Sequence, residues 1–148
     1  MRLWIKNIVK QLQEKYNTGC PYSLATHLNI HVLQHDLHHE INGYYKYDRR
    51  NRYIVINNNL DKQMQRVVCA HELGHAVLHK RVNTPFMRNN TLLSVDKIER
   101  EANKFAAELL ITDSDLFDFH EQKTIYDVAT LHNVPIQLAE LKYKGLFL

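Results

Sequence analysis

Three observations predict an α+β fold. Helical periodicity opens the chain, three short segments of strand character follow before residue 57, and helical periodicity then returns and continues to the end. A length of 148 residues supports one core and leaves little room for a second, so residues 1–148 are expected to form a single domain. Four glycines, three prolines and 45% hydrophobic residues exclude collagen-like, low-complexity and disordered classes.

The first helix is expected over about 2–16, where Trp4, Ile8 and Leu12 recur every fourth residue with Ile5 and Val9 beside them. Thr18-Gly19 stops it, and Pro21 opens a short helix near 22–28. Ile30 to Leu33 reads as a strand. Asn42-Gly43 is a turn signal, and the aromatic stretch Gly43 to Tyr47 after it reads as a second strand. Asp48 to Asn51 forms a polar turn before a third strand at Tyr53 to Ile56. Together they suggest a three-stranded meander. Asp61 is placed to cap a long helix over 62–80, in which Met64, Val67, Val68, Leu73, Ala76 and Val77 form the apolar face. Residues 82–94, with Pro85 and Asn89-Asn90, read as a loop. Asp96 with Glu99 three residues on resembles a capping box for a helix ending near Leu110. Two shorter helices are expected near 122–132 and 135–143.

The formal net charge of +3 is too small to indicate nucleic-acid binding. The longest apolar runs, such as Ile54-Val55-Ile56, cannot span a membrane. Lys6, Asn7 and Lys10 break the opening segment, so it lacks the apolar stretch of a secretory signal. Two cysteines make no disulfide framework, and a cytoplasmic location is expected.

The ten histidines matter through their spacing. His71-Glu72-Leu73-Gly74-His75 is an HExxH pattern inside the long helix. Residues four apart project from one helix face, so both imidazoles can reach one zinc ion. Glu72 then stands where a carboxylate can take a proton from water attacking a carbonyl. A zinc site of this type needs a third protein ligand. Leu78 and Arg81 occupy the positions where a longer histidine motif would place Gly and His, which directs attention to a glutamate on the next helix. Glu99 and Asn103 share a face next to the apolar stripe Ile98, Ala102, Phe105 and Leu109. Glu99 is therefore preferred as ligand, with Asn103 orienting a histidine. Glu101 lies about 200° round the helix from Glu99 and is expected to be solvated.

HELGHAVLH, followed by the pattern E-x-E-A-N-x-F-A-A-E-L-L, resembles the ImmA/IrrE family of zinc metallo-endopeptidases. INGYY and YIVIN before the metal helix add to the likeness, which covers roughly residues 20–145. The order Glu99-x-x-Ala102-Asn103 is also similar to the glutamate helix of gluzincins. The resemblance implies a zincin-like core in which a small antiparallel or mixed three-stranded sheet packs on the HExxH helix and a Glu-bearing helix, with a helical C-terminus. It implies Zn2+ held by His71, His75 and the helix glutamate, with Glu72 as general base. It also implies a protein substrate, a helix-turn-helix repressor of a phage or other mobile element. The absence of an IrrE-type C-terminal sensor domain places the likeness with the short ImmA-type enzymes.

Several residues have competing explanations. His79, four residues past His75, is placed to contact that ring or a transition-state oxyanion, or to end its helix as a satisfied histidine. His35, His38 and His39 read as surface, and Cys69 as core. Tyr44, Tyr45 and Tyr47 either line a cleft or pack a strand. The strand at 53–56 could offer an edge to an extended substrate, unless the 82–94 loop caps it. Residues 122–145 resemble a helix-turn-helix, but without an Arg cluster for phosphates no direct nucleic-acid contact is expected. The alternative to an enzyme is a non-catalytic zinc-containing module that controls a transcriptional regulator by contact.

Overall fold

The computed structural model describes residues 3–82, 84–88, 96–114 and 124–147. Its helices and strands follow in the order α1 (Leu3–Tyr16), α2 (Pro21–His27), β1 (Ile30–His35), β2 (Ile41–Asp48), β3 (Asn51–Asn57), α3 (Lys62–Leu78), β4 (Thr84–Arg88), α4 (Lys97–Leu110), α5 (Ile125–His132) and α6 (Ile136–Phe147). The fold is the expected α+β class with a helical C-terminus. No helix among the described residues is long and apolar enough to cross a membrane.

The sheet is mixed and its strand order is β1-β3-β2-β4. β3 is parallel to β1 and antiparallel to β2, so the three expected strands do not form a meander. The order puts β3 in the middle, where Ile54, Val55 and Ile56 are all buried. A run without alternation suits a strand covered on both faces. Being flanked on both sides, β3 has no open edge to offer a substrate.

A fourth strand, β4, pairs antiparallel with β2 inside the segment expected to be a loop. Pro85 is tolerated there because β4 lies at a sheet edge. Residues 83 and 89–94 of that expected loop, including Asn89-Asn90, lie outside the described residues, as do 122–123 of the expected C-terminal helix.

Asn42-Gly43 does not form a turn. Both residues lie within β2, and the pairing of β2 with β4 shifts register on either side of Gly43. A Cβ on Gly43 would stand 2.6 Å from the Val55 carbonyl oxygen and 2.6 Å from Val68 Cγ1. The glycine is there to let α3 lie close on the sheet, a packing need that looks like a turn signal in sequence. The β2–β3 turn instead uses Arg49 and Arg50, both at positive φ (50° and 68°). Asn57 fixes the β1–β2 connection: its side-chain amide donates to the carbonyls of His38 (2.5 Å) and Ile41 (2.8 Å), while its oxygen accepts from the backbone of Asn59. His35, His38 and His39 of that connection are exposed.

α3 starts as expected, with the Asp61 carboxylate accepting from the Met64 N–H at 2.7 Å. α4 departs from expectation: the Asp96 side chain makes no cap hydrogen bond, and the Glu99 side chain turns to the histidines of α3 instead of back to its own helix start. A reciprocal capping box does occur at α5, between Thr124 and Asp127. α5 ends on left-handed Asn133, and α6 returns against α5 and α4.

α6 is tied to α4 by buried charge. Lys142 is 2% exposed and donates to Glu108 Oε1 at 2.5 Å and to Asp113. Glu108 also pairs with Lys104, and Asp113 with Lys6 of α1, each at 2.6 Å.

Candidate metal centre

His71, Glu72 and His75 lie in the middle of α3, and all three are completely buried. α4 crosses α3 at Gly74, where a Cβ would come within 3.1 Å of both Ala102 Cα and Phe105 Cβ. Gly74 and Ala102 together let the two helix backbones approach, and that approach brings Glu99 to the histidines. The second and third residues of this contact, Ala102 and Phe105, were assigned only to an apolar stripe in the sequence. The small-residue match between Gly74 and Ala102 is the signal that could have aligned the helices beforehand.

The donor atoms of His71, Glu72 and His75 lie within 4.8 Å of one another. Glu99 reaches in from α4 with one oxygen toward each ring: Oε2 lies 2.9 Å from His71 Nε2, and Oε1 lies 3.0 Å from His75 Nε2. The first is a hydrogen bond. The second is close in distance, but its angle leaves His75 Nε2 without one. Glu101, by contrast, does not reach the two HExxH rings.

His71 Nδ1, His75 Nε2 and both oxygens of Glu72 are buried polar atoms with no hydrogen-bond partner among the described residues. Leaving such atoms unpaired away from water costs about 1–3 kcal/mol each, more for a charged group. Two imidazoles and carboxylates are the N/O donor set that suits zinc, so these residues fit a metal of that kind. Burial pushes the Glu72 carboxyl up to about 8, with His75 opposing and Glu99 reinforcing the shift. Partial burial pushes Glu99 the same way, but its close contacts and charge interactions with the His71 and His75 rings outweigh this and hold it well below the usual carboxylate range.

His79 is the C-cap of α3, at φ −132° and ψ 51°, so its ring leaves the helical path. Its Nδ1 lies 3.1 Å from His75 Nδ1, and its Nε2 lies 2.8 Å from Glu101 Oε1. The expectation that Glu101 is solvated therefore fails: its side chain is 20% exposed and completes a chain Glu101–His79–His75. Helix phase alone could not reveal this, because the partner comes from the uncoiled end of another helix. Asn103 lies one turn after Glu99 and is 1% exposed. Tyr45 is buried in the core, and its hydroxyl donates to the Lys80 carbonyl at 2.5 Å, tying down the chain just past His79. Of the two cleft-or-packing readings of Tyr45, packing holds. Cys69 is likewise fully buried core.

The sequence matches the family described as the IrrE N-terminal-like domain, Peptidase_M78, over residues 25–144. It is 53% identical over 139 residues to "Uncharacterized immunity region protein 2" of Bacillus phage phi105, covering 93% of this chain and 88% of that one. It is 32% identical over 141 residues to "Metallopeptidase ImmA" of Bacillus subtilis (strain 168), covering 93% of this chain and 83% of that one. A buried HExxH helix joined to a glutamate helix, in a chain matched along most of its length, identifies this protein as a member of the Peptidase_M78 metallopeptidase family.

Proposed function

We propose that this chain is a cytoplasmic zinc-dependent endopeptidase of gluzincin type, acting as one domain over residues 1–148. Its proposed substrate is a helix-turn-helix repressor of a phage or other mobile element, whose cleavage relieves repression. The observation that carries the reading is Glu72, a fully buried carboxylate with no hydrogen-bond partner beside two histidines of the same face. A zinc-containing module that controls a regulator only by contact would have no use for such a base.

His71, His75 and Glu99 would hold Zn2+, which supplies a Lewis acid that polarises the peptide carbonyl and acidifies water. Glu72 takes the proton of the attacking water and delivers it to the amide nitrogen as the C–N bond breaks. Burial pushes Glu72 up to about 8 in the metal-free chain, where it is largely protonated at neutral pH; a cation held by His71, His75 and Glu99 would favour the carboxylate that accepts the proton. His79, backed by Glu101, holds the His75 ring so that Nε2 points away from His79 and toward Glu99. Asn103 adds a buried polar side chain on the Glu99 face of α4. β4 provides an edge near the C-terminal end of α3, on which an extended segment could pair by its main chain. The choice of a repressor rests on the resemblance to ImmA-type enzymes, and the two relatives, one an immunity-region protein of a phage and one the metallopeptidase ImmA, support a peptidase associated with phage immunity.

Glu72→Gln tests this reading. The variant should keep its fold and bind zinc by metal analysis, while cleavage of a co-expressed repressor encoded beside it falls by about 10²–10⁴-fold. Undiminished cleavage by a clean Glu72→Gln preparation would sink the mechanism. Wild type that digests casein readily but leaves the repressor intact under inducing conditions would replace the regulatory role with general proteolysis.

A further inference from the structure

α4 has a second face. Away from His71 and His75, α4, α1 and α6 enclose a depression of about 520 Å³. Its floor is apolar, formed by Trp4, Ile5 and Leu141, and its walls carry Lys97 and Arg100 from α4 and Lys144 from α6. None of these three cations makes an ion pair among the described residues, whereas Lys104 is engaged by Glu108 at 2.6 Å. The acid in the lining, Glu101, has one oxygen committed to His79 at 2.8 Å. Trp4 remains 43% exposed, a large aromatic surface left in contact with water inside a basic hollow.

We infer that this depression binds an acidic segment of the protein substrate, with an apolar side chain seated against Trp4, Ile5 and Leu141 and carboxylates on either side meeting Lys97, Arg100 and Lys144. The arrangement of the cations selects this occupant. Lys97 and Arg100 follow each other along one wall, a helical turn apart, and Lys144 stands on a different helix. They come from two helices and line the hollow together with apolar residues, whereas a lone phosphate calls for cations and hydrogen-bond donors without an apolar floor. Carboxylates spaced along a polypeptide around one apolar anchor match that layout. Lys97, Arg100 and Lys104 lie round α4 from Glu99, and the lining meets the histidines only through Glu101, which pairs with His79, so the segment docked there is not the segment being cut. It would add selectivity that a short cleft cannot supply. Naming the segment as part of a substrate rests on the peptidase reading; the binding itself does not.

Trp4 is the one tryptophan of the chain, so its fluorescence reports on this hollow. The probe is a synthetic twelve-residue peptide of Glu residues around a central Leu-Leu pair, titrated into full-length Glu72→Gln protein. The readout is binding and not cleavage, so the result is independent of whether Glu72 activates water. A saturable change in Trp4 emission that weakens with salt is expected. Affinity should fall at least about tenfold in Lys97→Glu/Arg100→Glu, and less in Lys144→Gln. All three positions are exposed side chains, so folding should survive. The inference is overturned by the absence of a saturable response, by equal binding of the peptide with Gln at every Glu, or by unchanged affinity in the charge variants. Inorganic phosphate that gives the same response and displaces the peptide would overturn it in favour of a simple anion site. Failure of the peptidase reading would appear elsewhere, as wild type that cuts nothing.

Discussion

The two ends of α4 both bury charge, and they treat it in opposite ways. At the C-terminal end, Lys142 and Glu108 are each 2% exposed by side chain, and each has a further partner, Asp113 or Lys104. At the N-terminal end, Glu99 meets His71 and His75, while Glu72 beside them has both oxygens buried and unpaired. Glu99 and Glu108 are nine residues apart, about 14 Å along the helix. Where buried polar groups are satisfied by the chain itself, they specify how helices dock. Where the chain leaves them unsatisfied, the deficit marks a place built for something that the chain does not contain.

Glu99→Ala and Glu108→Ala should separate these roles, and the expected effects are the largest in the molecule after loss of Glu72. Glu108→Ala leaves Lys142 buried against Asp113 alone and should cost about 3–5 kcal/mol of stability, read by denaturant unfolding, with zinc affinity little changed in the protein that remains folded. Glu99→Ala should weaken zinc binding by at least about a hundredfold, by competition with a chromophoric chelator, with a smaller loss of metal-free stability. Glu101→Ala should affect zinc much less than Glu99→Ala. The reverse ranking would show that Glu99 only pairs with the histidines. Lys142→Met/Glu108→Leu should recover much of the stability lost by Glu108→Ala, since an apolar pair can replace a buried ion pair.

The glycines extend the contrast. Gly74→Val forces atoms against the backbone of Ala102, which can yield only if α4 moves. It should cost about 1–3 kcal/mol and weaken zinc binding at the same time. Gly145→Ala meets Lys104 Nζ, the far end of a flexible side chain that can swing aside. That change should be close to neutral, helped by the better helix propensity of alanine. Equal losses in both variants would mean that backbone approach does not hold the metal end together.

What the sequence disclosed follows the range of the interactions involved. The HExxH face, the cap at Asp61 and the helices α1, α2 and α3 depend on neighbours three or four residues apart, and each was legible. The placement of Glu99 beside the histidines was legible too, because Asn103 and the apolar stripe fix the phase of its helix. Gly43 was misread, since the pair Asn-Gly carries the same letters whether glycine serves a turn or makes room for Val68. β4 was missed because its pairing partner in β2 lies some forty residues earlier and Pro85 argues locally against a strand. The Lys142–Glu108 pair spans 34 positions and leaves no periodic trace. The same holds for Glu101, whose partner His79 is 22 positions away on a helix end that has left its helical path.

Glu101 and His79 occupy the middle ground between the two ends, since they are paired with each other and yet touch the metal side through His75. Their effect should be intermediate. His79→Ala should weaken zinc affinity about tenfold by releasing the His75 ring, and Glu101→Gln, which keeps an oxygen acceptor, should weaken it less. Cobalt substitution offers a second measurement: the visible absorption of the Co2+ form should broaden in His79→Ala as the His75 ring loses its fixed orientation. Unchanged affinity together with an unchanged spectrum would reduce His79 to a helix-ending residue.

The smallest expected effect lies at the satisfied end and is read through pH. Partial burial pushes Asp113 up, but hydrogen bonds from Lys142 and Lys6 outweigh it, and its carboxyl sits below the ordinary value of 3.8. A group whose folded value is depressed stabilises the fold above its unfolded pKa, and that contribution disappears as pH falls through the folded value. Asp113 is 41% exposed by side chain, so solvent screens the pair and the effect is modest. The melting temperature of the metal-free wild type should therefore fall more steeply below about pH 4 than that of Asp113→Asn, with the two curves parallel at neutral pH. Measuring both without metal keeps the histidine end from contributing a difference of its own. Parallel curves throughout the acid range would show that Glu108 alone anchors Lys142, and that Asp113 and Lys6 only decorate the junction of α1, α4 and α6.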